Sequence, residues 1–263
     1  KRPHYPFAPD GELSVARAYS KAFALARSFI YIEDQYLWSE TVTHTIADAL
    51  TRSPDLGLIA VLPRYPDADG PISGPVNRIG QIRAIDLLRR AAPDRVGVFD
   101  IENTAGTPIY VHAKVCIVDD VWFTCGSDNI NRRSWTNDSE LTCAVLDPSR
   151  DAREPSQLDA HGDGARQLPR ELRLQLWGEH LGRPTDDPAL LDPTQALNLW
   201  TQQAAALDKW HAEGRAGRRP RGQIRRHEPA PINTAQRILA GALYRAVADP
   251  DGRTLRDRHA DRF

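Results

Sequence analysis

His112 and Lys114 stand two residues apart in the apolar run IYVHAKVCIV (109–118). On a strand that spacing puts both side chains on one face, an imidazole beside an ammonium. The pair is a poor choice for plain core packing. It suits a site that receives an anion, where the ammonium stabilises phosphate charge and the imidazole attacks or transfers a proton. Asp119 and Asp120 separate this run from VWFTCG (121–126), a pattern that predicts a tight hairpin. With a two-residue turn, Val118 faces Val121, Lys114 faces Cys125 and His112 faces Ser127. Gly126-Ser127-Asp128-Asn129 then emerges beside the histidine. Gly126 allows close backbone approach, and Ser127 and Asn129 offer neutral donors to phosphate oxygens. Asn131-Arg132-Arg133-Ser134 adds further donors. Asp119 points away from His112 in a regular strand, which suggests that it supports the site or fixes the turn. Glu140, just before the next strand, could hold His112 through its other ring nitrogen.

The elements that must position these residues alternate in period. Apolar residues recur at helical spacing over 12–28, and helices are also expected at 41–52 and 78–91. FIYI (29–32), LIAVLP (58–63), VGVFDI (96–101) and LTCAVLD (141–147) read as strands, with the two halves of the hairpin between the last two. Strands alternating with helices predict an α/β layer architecture, a mixed sheet flanked by helices. Glu33 and Gln35 share a strand face at a strand's end, where ligand sites of α/β folds gather. The Pro- and Gly-rich segment 63–77 reads as a long loop, of the kind more often functional than idle. Residues 1–148 are expected to form the α/β half, and 149–263 a loop and helical extension packed on it. In that extension Leu168, Leu172, Leu176 and Trp177 mark one amphipathic helix. Leu197, Trp200, Leu207 and Trp210 mark another, with Thr194 as N-cap. Six arginines and no acid in 214–226 read as a solvated loop or an anion-facing surface.

Composition bounds the function. The 263 residues carry a net charge of −1, with 41% hydrophobic and 26% charged residues. That is ordinary for a globular protein and too apolar for disorder. The balance argues against a protein that coats nucleic acid by bulk charge, and no apolar run approaches the ~20 residues of a membrane helix. Lys1, Lys21, Lys114 and Lys209 are the lysines among 34 basic residues, which makes each worth locating. Cys116, Cys125 and Cys143 all lie in apolar runs, so buried thiols are expected. Neither a disulfide framework nor a zinc site from His112 and the three cysteines fits their spacing. Trp38, Trp122 and Trp135 read as core or edge packing, with a lipid path as the alternative.

His112-x-Lys114-x4-Asp119, followed after six residues by Gly126-Ser127-x-Asn129, resembles the signature of the phospholipase D superfamily. YIEDQYLW (31–38) is similar to the stretch before the second motif of phospholipase D proper, and RELRLQLWGEHLG (170–182) to the segment after it. The resemblance implies a metal-independent, cofactor-free phosphodiesterase in which two such motifs meet at a pseudo-twofold axis. One histidine attacks phosphorus to form a phosphohistidine. The other protonates the leaving alcohol, then activates water or an acceptor alcohol. Carried over, Lys114 and Asn129 are the phosphate clamps, Ser127 a helper and Asp119 a support. His112 is the general acid/base, oriented by Glu140. Glycerophospholipids at a membrane surface are the implied substrate, and no nucleic acid partner is expected.

The sequence holds no second His-x-Lys pair: His4, His44, His161, His180, His211, His227 and His259 all lack it. The chain is therefore expected to be the C-terminal half of a longer or nicked enzyme, which the absent start methionine favours, or to pair with itself. A nuclease, a phosphatidyltransferase and an inactive phosphate-binding half-domain remain open as other uses of the same constellation.

Overall fold

Strands buried on both faces read as short continuous apolar runs, because helices cover the sheet above and below. The segments FIYIE, GLIAV and VGVFDI form β1 (Phe29–Glu33), β2 (Gly57–Val61) and β3 (Val96–Ile101), which pair in parallel. The computed structural model describes residues 6–9, 11–65, 73–158, 164–260 and 263. Helix α1 (Ser14–Leu25) precedes β1, while α2 (Glu40–Arg52) and α3 (Ser73–Ala91) make the crossovers between the parallel strands. On the other side of β1, the antiparallel strands β4 (Val115–Val118), β5 (Trp122–Gly126) and β6 (Thr142–Leu146) follow as a meander. A late strand, β7 (Ile224–Arg226), pairs antiparallel with β3. The mixed sheet runs β6-β5-β4-β1-β2-β3-β7.

Each face of the sheet carries its own core. Ile30, Ile32, Leu58, Ala60, Val98, Cys116 and Val118 pack against Tyr19 and Phe23 of α1, Ile46 and Leu50 of α2, and Leu88 of α3. Five further helices follow: α4 (Arg132–Thr136), α5 (Gln167–Leu181), α6 (Pro188–Leu191), α7 (Ala196–Ala212) and α8 (Thr234–Leu243), the last continuing into a π-helical turn over 244–248. A short α9 (Leu255–His259) comes near the end of the chain. Tyr31, Ile59, Val61, Phe99 and Ile117 face α5 and α7, meeting Trp177 and Trp200. A third cluster, with Trp38, Ile79, Ala240 and Tyr244, seats α8 and its π turn on α3. No helix of the described residues is long and apolar enough to cross a membrane.

Several local expectations need correction. The helix expected from residue 78 begins at Ser73, since a proline in the first turn, here Pro75, removes no helical hydrogen bond. Of the loop expected over 63–77, residues 66–72 lie outside those described, as do His4 and His161. The ladder of the long strand 109–118 starts only at Val115, and residues 109–114 run in beside the ends of its neighbours. In α5 the expected stripe is buried in part: Trp177 is buried and Leu172 and Leu176 pack half-buried against the core, but Leu168 is exposed, and Arg170, Arg173 and Leu174 complete the buried face. Thr194 does not cap α7; its hydroxyl and N–H donate to Asp192 Oδ1 instead, and Gln195 holds the cap position. Cys125 and Cys143 are exposed rather than buried, because β6 ends the sheet and leaves the β5–β6 surface uncovered.

Candidate active site

The hairpin register sets the site. Asp119 and Asp120 both take left-handed backbone, with φ of 52° and 53°, and Val121 N–H donates to the Val118 carbonyl. Val121 is thereby left out of the ladder, so Val118 pairs with Trp122 and Val115 with Cys125. The expected register is off by one residue. Continued outward, it places Lys114 beside Gly126, whose N–H donates to the Lys114 carbonyl at 3.2 Å.

Lys114 is buried to 7% exposure. Its Nζ donates to Gln35 Oε1 at 3.1 Å and to the His112 carbonyl at 3.0 Å. Gln35 Nε2 in turn donates to Tyr110 Oη at 2.5 Å. The Tyr110 ring lies 6.2 Å from the His112 ring, near parallel. Burial lowers the Lys114 pKa, against the opposing pull of the Asp34, Glu140 and Asp128 charges. His112 itself is exposed, and its ring makes no hydrogen bond to a described residue. The result is a solvent-facing imidazole above a fixed, desolvated ammonium, which is the arrangement a bound anion requires.

Glu33 and Gln35 do not share the site. β1 ends at Glu33, so the alternation of faces stops there and Gln35 turns toward Lys114. Glu33 lies on the α5 side, where its carboxylate accepts from Tyr31 Oη at 2.6 Å and meets His180 Nε2 at 2.9 Å. Burial works to raise its pKa, but the His180 and Tyr31 hydrogen bonds and the His180 charge outweigh it, leaving the carboxyl below its ordinary value. Asp119 is also remote from His112, at the far end of β4. Its carboxylate accepts the N–H groups of Arg27, Ser28 and Phe29 at 2.8–2.9 Å and ties the turn to the start of β1.

The second arm of the site leaves β5 at Gly126. A Cβ there would lie 2.6 Å from the Leu141 carbonyl oxygen and 2.7 Å from Thr142 Cα, so the close approach this glycine permits is that of β6. Glu140 does not orient His112. It accepts from Ser127 Oγ at 2.5 Å, and Ser127 Oγ accepts from Leu141 N–H at 3.1 Å. The pairing of Ser127 N–H with the Leu141 carbonyl brings Glu140 beside the serine. The Asn129 side-chain carbonyl is buried and hydrogen bonds to no described residue. Asp128, deeper still, accepts from Thr142 Oγ1, and burial pushes its pKa up to about 6.

Asp34 was not singled out from sequence, although it lies between two residues that were. It is fully buried, accepts from the N–H groups of Tyr36 and Leu37, and takes the Ile130 N–H at 2.8 Å. It thus anchors the segment carrying Asn129 to the end of β1, and its charge acts on Lys114. A polar residue at the end of a wholly buried strand was the available signal. A groove lined by Gln35, Tyr36, Trp38, Pro63, Asn77, Arg78 and Gln81 opens beside the site. The zinc set does not converge, since Cys116 lies in the α1–α3 core and Cys125 and Cys143 on the open surface.

The family model described as Phospholipase D matches residues 92–215, which include His112, Lys114, Asn129 and α5. The chain is 28% identical to phospholipase D delta of Arabidopsis thaliana over 250 residues, covering 72% of this chain and 28% of that protein. It is 42% identical to phospholipase D alpha 1 of Spuriopimpinella brachycarpa over 96 residues, covering 34% and 11%. The chain thus spans less than a third of either relative. Among solved structures, Nuc of Salmonella typhimurium, a phospholipase D family member, aligns at a TM-score of 0.39 and 19% identity, covering 53% of this chain and 78% of that one. The matches support a phospholipase D superfamily member that resembles one part of its longer relatives.

Proposed function

We propose that this chain is the C-terminal half of a phospholipase D-type phosphodiesterase and supplies its general acid/base. The observation that carries the proposal is the exposed His112 ring over the buried Lys114 ammonium, itself held by Gln35. Lys114 and the Asn129 amide bind nonbridging phosphoryl oxygens of a glycerophospholipid. A histidine of the second motif-bearing half attacks phosphorus, and His112 protonates the departing head-group alcohol. His112 then takes a proton from water or an acceptor alcohol as that oxygen attacks phosphorus and displaces the histidine of the phosphohistidine. Removing a general acid/base costs on the order of 10²- to 10⁴-fold in rate. Ser127, held by Glu140, lines the phosphate from the β6 side. Asp119 acts at a distance by fixing the hairpin turn, and Glu33 acts through His180 rather than on substrate.

The test joins this chain to a second motif-bearing half and supplies phosphatidylcholine vesicles and short DNA in parallel. Release of the head-group alcohol from vesicles supports the proposal, and phosphatidyl transfer to an added alcohol supports it equally. Cleavage of DNA with no turnover of lipid would overturn the substrate assignment.

A further inference from the structure

Cys125 of β5 and Cys143 of β6 are directly opposite one another in an antiparallel pair, and both are exposed and free. Ser127 N–H donates to the Leu141 carbonyl, two residues outward. Hydrogen-bonded and non-hydrogen-bonded pairs alternate along an antiparallel ladder, so Cys125 and Cys143 form a hydrogen-bonded pair, with Cα atoms ~5.5 Å apart. That separation lies at the usual Cα distance of a disulfide, roughly 5.5–6 Å. Opposed residues project from the same face. The Cβ atoms of a hydrogen-bonded pair stand roughly 5.5 Å apart, wider than the ~3.5–4.5 Å that a disulfide spans, so one strand must draw in; β6, paired on one side alone among the described residues, is the strand free to do so. Cys116 takes no part: it is buried against α1–α3, and burial raises its thiol pKa well above the ordinary value.

We infer that Cys125 and Cys143 are a dithiol site that closes to a cross-strand disulfide under an oxidising low-molecular-weight disulfide such as oxidised glutathione. One protein thiolate attacks a glutathione sulfur and expels a glutathione thiolate. The second protein thiolate then attacks the protein sulfur of the mixed disulfide and expels the other. The two cysteines lose two protons and two electrons, and one glutathione disulfide becomes two glutathiones. The bond ties the neck of the segment 127–141, which carries Ser127, Asn129 and Glu140. Oxidation therefore pins the arm of the site opposite His112 without touching His112 or Lys114. This inference rests on register and exposure and does not depend on which phosphodiester the site takes.

The experiment incubates the whole chain with oxidised glutathione, then measures intact mass, thiol content after unfolding, and amide exchange. The expected product has lost two of its three thiols and about 2 Da, with a peptide linking Cys125 to Cys143. Its amides over 127–141 exchange more slowly than in the reduced chain. Cys125→Ser and Cys143→Ser should each carry a glutathione adduct instead, with exchange over 127–141 unchanged. Adducts on both cysteines of the wild-type chain, with no bridging peptide, would overturn the inference. So would a bridge that includes Cys116.

Discussion

Asp120 is the strongest single test of how the hairpin turn is held. Its carboxylate accepts from Arg170 Nε at 3.0 Å and from Arg173 Nε and Nη2 at 2.7 Å each, and all three side chains are fully buried. Removing one member of a buried charge cluster costs about 3–5 kcal/mol, chiefly because the partners are left uncompensated. Arg170 keeps its bonds to the Arg153 and Pro155 carbonyls and lies 3.5 Å from the buried Asp151 carboxylate, whereas Arg173 keeps its bond to the Leu190 carbonyl but has no other acidic partner among the described residues. The residue also sits at φ 53°, where alanine adds a penalty of roughly 1–2 kcal/mol that glycine escapes. Asp120→Gly therefore isolates the charge, and Asp120→Ala adds the backbone. At about 2–4 °C per kcal/mol for a chain of this size, Asp120→Gly should lower the melting temperature by roughly 6–20 °C. Asp120→Ala should fall a few degrees further. Arg173→Met should cost less than either, since Arg170 still neutralises Asp120. Thermal unfolding followed by far-UV circular dichroism reads all three. Asp120→Gly melting within about 2 °C of wild type would refute the reasoning and reassign the alanine effect to backbone strain.

Asp128 titrates at about 6 because it is buried, well above its ordinary value of 3.8. A raised carboxylate stabilises the fold in its protonated form, so this contribution is present below about pH 4 and is lost as pH rises through 6. Asp128→Asn should gain on wild type between pH 4 and 7 by about 3 kcal/mol, at ~1.36 kcal/mol per pH unit of the shift; denaturant midpoints across that range check it. Lys114→Met removes the proposed phosphate clamp and a desolvated charge together. Turnover of the assembled enzyme should fall about 10²- to 10³-fold while the melting temperature holds or rises. Because Ser127 and Glu140 act through one hydrogen bond, Ser127→Ala and Glu140→Ala should be non-additive. A double-mutant cycle in which their effects on turnover simply add would remove Glu140 from the site.

The parallel strands were legible because each is a short apolar run with no competing reading, and VGVFDI matches β3 over its whole length. His112, Lys114, Gln35, Ser127 and Asn129 were legible as types at informative spacing. What failed was whatever a distant partner decides. A two-residue turn is the simplest reading of Asp119-Asp120, yet the observed turn holds one residue more. Asp119 binds the start of β1, Asp120 binds α5, and neither partner is visible locally. The same buried carboxylate turns Arg170 and Arg173 inward, so an apolar stripe alone misses the charged part of the buried face of α5. Its place just before β6 suggests that Glu140 holds His112, whereas the β5–β6 register gives it to Ser127. Asp34 escaped notice because its chief partner, the Ile130 N–H, lies across the sheet in another segment.

The central claim is that His112 transfers protons and does not attack phosphorus. It is tested most directly by trapping the covalent intermediate with a phosphodiester that bears an activated leaving group. In the assembled two-half enzyme, His112→Ala should still form the adduct on the other half's histidine, releasing one equivalent of leaving group and then stalling. Mass mapping that finds the phosphoryl group on His112 of the wild-type chain would contradict the claim.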